Sequence, residues 1–356
     1  MTAAATVRTD HRAPQRTDGT PHMSDPRTDR ALGSLYGLAL GDALGMPTQT
    51  MSRAAIAARF GTVSDFEAGP PDNPVAAGLP AGTVTDDTDQ ALLVGRLLAD
   101  GAGRIDPELL ARALLEWEAG MREKGSLDLL GPSTKAALDA VARGVPVSET
   151  GSTGTTNGAA MRVAPVGVAF PARPLEAFLD RVVESCQVTH DTTLGIAGAA
   201  AVAAAVSSAV GGADLETAMD TAEAAARAGV ARGHWVAGAD IAARIRWARN
   251  TVAGRPEAEA LTLVSELIGT SVASQESVPA AFAVLAVAGG DPMRACLLAA
   301  NLGGDCDTIG ALAGAVAGAV TGLSGLPADA VATLRSVNEL DVEPLAARLL
   351  SLRPHG

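Results

Sequence analysis

Hydrophobic and polar positions along the chain repeat with a helical period. The stretch from residue 31, ALGSLYGLALGDALG, is largely apolar, and DPELLARALLEWEAGMREKG is amphipathic with Pro107 in its first turn. The segment DTTLGIAGAAAVAAAVSSAVGG is almost pure Ala and Val, a composition typical of a helix buried on all sides. We find no strand-like alternation and no internal repeat. The pattern predicts an all-α protein with about a dozen helices or more.

Start and stop signals divide the chain into helices and loops. In TDDTDQALLVGRLLADG, Asp87 followed by Gln90 resembles a capping box, and Gly101 is a stop signal. Residues 61–84 and 144–160 are rich in turn-forming residues and are predicted to be loops, and a loop as long as the first is usually functional. Residues 1–30 are polar, so we expect a disordered tail before a single compact domain at 31–352.

One apolar run, at 309–326, carries glycine at every fourth position: Gly310, Gly314, Gly318 and Gly322. The run approaches the length of a membrane span, but Gly and Ala are weakly hydrophobic and no Trp, Tyr or Arg brackets it. In lipid this stripe would favour helix dimerisation, whereas in a soluble protein it lets another helix come very close. We favour close packing of a second helix and expect no membrane association.

Composition narrows the possible classes of protein. Of the 356 residues, 47% are hydrophobic and only 3% aromatic, so the core must consist of small aliphatic side chains, which suits closely packed helices. The net charge is −13 and there is no basic stripe, so nucleic-acid binding is not expected. Cys186, Cys296 and Cys306 are few and lack metal-finger spacing, which predicts reduced, mostly buried thiols in a cytoplasmic protein.

Two clusters of Asp and Thr stand out, TDDT at 85–88 and DCDT at 305–308, each at a predicted helix start. A single Asp is enough to cap a helix, whereas two adjacent carboxylates repel each other unless a cation intervenes. Oxygen ligands with no matching His or Cys set suit Mg²⁺ or Mn²⁺ better than Zn²⁺. Spacing alone leaves two alternatives open, one shared metal site or two independent helix caps.

Two further polar clusters carry weaker signals. TGTTNGAAMR, at 153–162, is a loop that runs into a helix and offers backbone N–H groups to an anion, although it lacks phosphate-loop spacing and a Lys. A flexible loop is the alternative. THDTT contains His190, and a lone His is more often a hydrogen-bonded structural residue than a catalyst.

In chain order, GSLYGLALGDALG, TDDT, TNGAAMRVAPV, TH and GGDCDT resemble the motifs of the ADP-ribosylglycohydrolase family. The resemblance covers almost all of residues 31–320. It implies a compact domain of orthogonally packed helices with two divalent cations, Mg²⁺ or Mn²⁺, at the base of a cleft. It also implies hydrolysis of an N- or O-glycosidic bond at the ribose C1″ of a small ADP-ribosyl or ribosyl compound, or of an ADP-ribosylated protein.

The same resemblance implies roles for individual residues. The catalytic carboxylates would be Asp87 and Asp128, either of which could direct a metal-bound water or manage a proton. Asp128 lies in GSLDLLGPSTKAAL, which is similar to a family segment with an acid/base Asp, and the alternative for it is a turn acid that caps the helix at 132. The implied metal ligands are Thr85, Asp86, Asp87, Asp305, Asp307 and Thr308. The implied substrate contacts are Asp42, Gln49, Gly154, Thr155, Thr156, Asn157, Gly158, Met161, Arg162 and His190.

Three positions depart from the family pattern. Gln49 stands where some members carry Glu, Thr155 where some carry an aromatic residue, and Cys306 where Thr is frequent. The departures motivate a second hypothesis, a catalytically weak or inactive member that binds a nucleotide or ribosyl ligand. A third hypothesis is a structural helical protein whose Asp pairs are only caps.

Overall fold

Helices make up almost all of the regular structure in the computed structural model, which describes residues 25–125 and 130–354. In this part of the chain the α-helices are α1 (Pro26–Gly45), α2 (Arg53–Phe60), α3 (Asp86–Asp100), α4 (Pro107–Glu123), α5 (Pro132–Ala142), α6 (Val147–Thr150), α7 (Gly158–Met161), α8 (Ala164–Ala169), α9 (Leu175–Cys186), α10 (Thr193–Val210), α11 (Leu215–Gly229), α12 (Ile241–Val252), α13 (Glu257–Leu263), α14 (Ser274–Ala288), α15 (Pro292–Ala300), α16 (Cys306–Thr321), α17 (Ala328–Asn338) and α18 (Glu343–Ser351). A π-helical turn, Val264–Ile268, extends α13. Two isolated β-bridges occur in these residues and no strand does, which confirms the all-α prediction.

The first helix begins at Pro26 rather than at residue 31, where the domain was expected to start. Asp25 caps the helix by accepting from the backbone N–H of Arg27, and Pro26 occupies the first turn. Arg30 donates to the carbonyl of Ala209 at 2.6 Å, which ties this turn to the rest of the protein. The first residues of this helix are exposed and polar, and for that reason their sequence predicted a disordered tail. Residues 1–24 of the expected tail lie outside the described residues.

Two other local predictions need correction. Thr85, not Asp87, is the N-cap of α3, and Gln90 donates to the Asp86 side chain instead of closing a capping box. The segment at 144–160 contains the single-turn helices α6 and α7. Residues 61–84 contain no helix and Gly101 ends α3, as predicted.

Glycine faces bring α1 and α16 into backbone contact. A Cβ atom on Gly37 would lie 2.2 Å from the carbonyl oxygen of Gly314, and one on Gly41 would lie 1.9 Å from that of Gly310. The pairing runs in opposite directions along the two helices, so they pack antiparallel. This confirms the predicted close approach of a second helix to the glycine stripe. The contact also sets the end of α1 against the start of α16, where a Cβ on Gly45 would lie 2.4 Å from the Cα of Asp307.

The core centres on α10, which packs against α8 and α11 among other helices. Among the described residues α10 is the one helix long and apolar enough to cross a bilayer, and 94% of it is buried inside the protein. Such burial is typical of a core helix. All three cysteines are free and buried, as expected. The small side chains of α10 and α16 let neighbouring helices pack closely, which gives a dense core from few aromatic residues.

Candidate active site

A cleft of about 290 Å³ opens where the N-termini of α3 and α16 meet. The described residues that line it are Gln49, Thr50, Val75, Asp86, Asp87, Leu130, Gly131, Pro132, Thr134, Thr156, Asn157, Gly158, Met161, Val272, Asp305, Asp307 and Thr308. The two Asp/Thr clusters therefore belong to one site. Direct contact joins them, because the hydroxyl of Thr308 donates to Asp87 Oδ2 at 3.2 Å.

Capping does not explain the aspartates of the two clusters. The cap of α3 is provided by the Thr85 side chain, which accepts from the N–H of Asp87. At the start of α16, Asp305 occupies the N-cap position but its side chain makes no capping hydrogen bond. Of the two alternatives left open by the sequence, the structure favours a shared site.

Asp42 lies beneath the cleft rather than in its lining. This carboxylate is fully buried and accepts from the backbone N–H and the hydroxyl of both Thr85 and Thr88. Its pKa is raised to about 6 by burial, an effect that the four hydrogen bonds partly offset. These contacts place Asp42 as an anchor for the first turn of α3, not as the substrate contact that was expected.

Thr85 likewise faces Asp42 and does not line the cleft. Its Oγ1 lies 2.7 Å from Asp42 Oδ1 and 3.4 Å from Asp87 Oδ2. Among the expected metal ligands, the other five side chains line the cleft. Thr85 therefore orients the acidic cluster from below.

Negative charge is concentrated at the floor of the cleft. Burial and the neighbouring carboxylates of Asp86, Asp307, Asp42 and Asp305 raise the pKa of Asp87 well above its ordinary value. Burial also raises the pKa of Asp305, although a hydrogen bond from Asn157 opposes the shift. A cation bound here would favour the ionised form of these carboxylates.

The donor set fits a hard divalent ion in its chemistry. It consists of carboxylate and hydroxyl oxygens, and Asp87 Oδ1 is buried with no hydrogen-bond partner in the described chain. Within residues 25–125 and 130–354, however, no three His, Cys, Asp or Glu side chains converge as they would around a bound ion. A bound ion would therefore require the carboxylates to draw together.

The loop before α7 forms the opposite wall. Asn157 donates from Nδ2 to Asp305 Oδ2 at 2.5 Å, and its backbone N–H donates to the carbonyl of Val272 at 2.9 Å. Thr156, Asn157, Gly158 and Met161 line the cleft as expected, but Gly154 and Thr155 do not. A Cβ on Gly154 would lie 2.0 Å from the carbonyl oxygen of Thr189, so this glycine permits close packing behind the wall.

Arg162 and His190 also lie behind that wall. Both were expected to contact the substrate, but neither lines the cleft. Both are fully buried, and a Cβ on Gly158 would lie 2.9 Å from His190 Cε1. Burial lowers the pKa of Arg162 to about 10, and burial together with the Arg162 charge holds the pKa of His190 well below its ordinary value. His190 is therefore placed as a buried, hydrogen-bonded residue, which was the alternative that the sequence offered to a substrate contact.

Gln49 lines the cleft just after α1. Its side chain is nearly fully buried, and Nε2 has no hydrogen-bond partner in the described chain. Its backbone carbonyl accepts from Asn73 Nδ2 at 3.0 Å, and Asn73 belongs to the long loop at 61–84. That contact explains how a loop predicted to be functional reaches the site, where Val75 forms part of the lining.

Sequence reasoning missed several lining residues, including Thr50, Val75, Thr134 and Val272. Val75 lies in the long loop at 61–84, whose length pointed to a function, and Thr134 lies in GSLDLLGPSTKAAL, the segment that resembles a family segment. Thr50 and Val272 carry no motif of their own. Asp128 lies outside the described residues, so its two expected roles stay predictions.

The fold and the cleft define a helical protein with an acidic, oxygen-lined site. A model of the ADP-ribosylglycohydrolase family matches residues 23–355, so the chain belongs to that family. Uncharacterized protein YegU of Escherichia coli K12 is 38% identical over 92% of this chain and 98% of its own length. The ADP-ribosyl-[dinitrogen reductase] glycohydrolase of Rhodospirillum rubrum is 25% identical over 91% and 96%. A solved structure, an ADP-ribosylglycohydrolase-related protein complex, has 28% identity and a TM-score of 0.68 over 92% of this chain and 99% of that one.

Proposed function

We propose that this protein hydrolyses an N- or O-glycosidic bond at the ribose C1″ of an ADP-ribosyl or related ribosyl compound, with Mg²⁺ or Mn²⁺ as cofactor. The observation that carries the proposal is the junction of the two Asp/Thr clusters, where Thr308 contacts Asp87 at the floor of one cleft. Family membership supports the reaction class. The substrate is either a small molecule or an ADP-ribosylated protein.

Five cleft residues would hold the cations: Asp86, Asp87, Asp305, Asp307 and Thr308. When bound, such ions fix sugar hydroxyls and lower the pKa of water. Their positive charge would also favour the ionised form of Asp87, whose pKa is raised by burial and by the neighbouring carboxylates.

The side chains of the chain supply the remaining chemistry. Asp87 presents a carboxylate oxygen with no protein partner in the described chain, which suits it to accept a proton from the attacking water. The glycosidic transition state carries positive charge on the sugar ring, which the nearby carboxylates stabilise. Asn157 holds Asp305 in place from the opposite wall.

Gln49 supports a second candidate function, ligand binding without turnover. An amide cannot ionise, so it cannot serve as an acid or a base where some family members carry Glu. Under this candidate the protein binds ADP-ribose in the presence of Mg²⁺ or Mn²⁺ and releases none from any conjugate.

The test compares wild type with Asp305→Asn and with Asp329→Asn, a matched control in the exposed first turn of α17. We expect MgCl₂ and MnCl₂ to raise the melting temperature of wild type and of Asp329→Asn but not of Asp305→Asn, because an ion that binds only the native state stabilises it. Release of ADP-ribose is then assayed from ADP-ribosyl-arginine, ADP-ribosyl-serine and O-acetyl-ADP-ribose, with simple ribosides alongside. Unchanged activity in Asp305→Asn would contradict the proposal. Metal-dependent ligand binding without turnover in wild type would favour the second candidate function.

A further inference from the structure

A chain of buried side-chain hydrogen bonds runs from Arg162 to the wall of the cleft. Arg162 lies 2.6 Å from Thr189 Oγ1 through one guanidinium nitrogen. Thr189 Oγ1 lies 2.7 Å from His190 Nδ1, and His190 Nε2 lies 2.9 Å from Thr156 Oγ1. Arg162, Thr189 and His190 are fully buried, whereas Thr156 is half-buried and lines the cleft.

The donor and acceptor sense of this chain is fixed at Arg162. A guanidinium only donates, so Thr189 Oγ1 accepts from it. The hydroxyl hydrogen of Thr189 then needs an acceptor, and His190 Nδ1 is its one other partner in the described chain. Nδ1 therefore accepts, which places the hydrogen of the neutral ring on Nε2.

The consequence reaches the cleft through Thr156. Since His190 Nε2 donates, Thr156 Oγ1 accepts and keeps its own hydroxyl hydrogen for another acceptor. No such acceptor lies among the described residues, where His190 is the single partner of Thr156 Oγ1. The free hydroxyl hydrogen belongs to a residue that lines the cleft.

A second branch leads from the same guanidinium to the carboxylate wall. Arg162 donates to Gln90 Oε1 at 3.1 Å, which turns the amide so that Nε2 donates to Asp86 Oδ2 at 2.8 Å. A single buried cation thus orients one polar group on each side of the cleft.

We infer that Arg162, Thr189 and His190 are positioning residues that hold the Thr156 hydroxyl as a hydrogen-bond donor to an acceptor oxygen of the bound ligand. The inference rests on the proposed function for the identity of the ligand. Acceptor oxygens of this kind occur on a phosphate and on a sugar hydroxyl. A guanidinium or ammonium group has no lone pair to offer and would not fit beside Thr156.

The first experiment determines the tautomer of His190 in the wild-type protein. Long-range ¹H–¹⁵N correlation on ¹⁵N-histidine-labelled protein separates the two neutral tautomers, and loss of the signal in His190→Asn assigns it. We expect the hydrogen on Nε2. A hydrogen on Nδ1 would overturn the inference, and the result needs neither substrate nor metal.

The second experiment interrupts the series of hydrogen bonds at Thr189 by substitution. Thr189→Val removes the hydroxyl at nearly constant volume, whereas Thr189→Ser keeps it and serves as the conservative control. In calorimetric titrations of ADP-ribose with MgCl₂, we expect about fivefold weaker binding to Thr189→Val, the usual effect of one lost neutral hydrogen bond. Thr189→Ser should bind like wild type.

The choice of probe separates the two sources of the acceptor oxygen. A weaker affinity of Thr189→Val for both ADP and ADP-ribose would assign a phosphate oxygen, and a weaker affinity for ADP-ribose alone would assign the distal ribose. Equal affinities of Thr189→Val and wild type for both probes would overturn the inference. If wild type binds neither probe, the proposed function fails, and the tautomer of His190 then decides the inference alone.

Discussion

Two polar residues near the cleft show how partners decide the role of a side chain. Asp42 is an acid of the GDALG segment, yet its carboxylate accepts hydrogen bonds from Thr85 and Thr88 and does not line the cleft. Gln49 is uncharged, yet its amide nitrogen is buried in the cleft lining without a partner in the described chain. A buried donor without a partner costs stability, so its retention suggests a ligand that supplies the acceptor.

We predict opposite effects of Gln49→Met on stability and on activity. Removing the unpartnered amide relieves a cost of about 1–3 kcal/mol, so the melting temperature should be equal or higher. The value of kcat/KM for the substrate found in the screen should fall about fivefold or more, because a ligand contact is lost. Thermal unfolding and steady-state kinetics measure the two effects, and unchanged kcat/KM would show that Gln49 makes no ligand contact.

At the scale of elements, the site depends on the contact between α1 and α16. Backbone meets backbone along this contact, which leaves no room for side chains at the paired glycines. The same contact fixes the start of α16, and with it Asp305 and Asp307, beside the loop that carries Gln49. Close packing of two glycine faces thus provides a rigid support for the acidic cluster.

Gly314→Ala should destabilise the protein by about 1–3 kcal/mol or more, since the new Cβ would lie 2.0 Å from the carbonyl oxygen of Gly37. The control is Gly120→Ala in α4, where no atom lies within 4 Å of the added Cβ. That variant should be neutral or more stable by up to about 1 kcal/mol, because Ala favours a helix over Gly. Chemical denaturation measures both, and equal stabilities would refute the packing argument.

At the scale of the whole molecule, the end of the described chain is tied to its core. The buried guanidinium of Arg353 donates to the carbonyls of Gly167, Val168 and Phe170 at 2.9–3.2 Å, and to that of Ser207 at 2.8 Å. These carbonyls lie at the end of α8 and near the end of α10, so one side chain joins α18 to two inner helices. No salt bridge of Arg353 occurs in the described residues.

We expect Arg353→Met to lower the free energy of unfolding by about 2–4 kcal/mol, because several buried carbonyls lose their donor. Arg348→Met is the control, since Arg348 is half-exposed and pairs with Asp100 at the surface, where such a pair contributes about 0–1 kcal/mol. Urea denaturation of both variants tests the difference. A similar decrease in the free energy of unfolding of the two variants would mean that the buried hydrogen bonds of Arg353 do not stabilise the protein.

Several features followed from the sequence because they depend on neighbours along the chain. Helical periodicity, the stop at Gly101 and the glycine stripe of α16 are properties of short segments, and the structure confirms each. The prediction of a capping box at Asp87 was wrong because it depends on distant contacts. Gln90 donates to Asp86 and accepts from Arg162, which lies far from it along the chain.

The sequence by itself therefore determined the helical class, the small-residue core and the two oxygen-rich clusters, because residue type and local spacing set these features. Only the tertiary structure decided that the clusters share one cleft and that Asp42, Arg162 and His190 support that cleft from behind. The physical reason is that burial and hydrogen-bond partners depend on which distant segments pack together. Between Asp87 and Thr308, 221 positions apart, that information exists only in the folded chain.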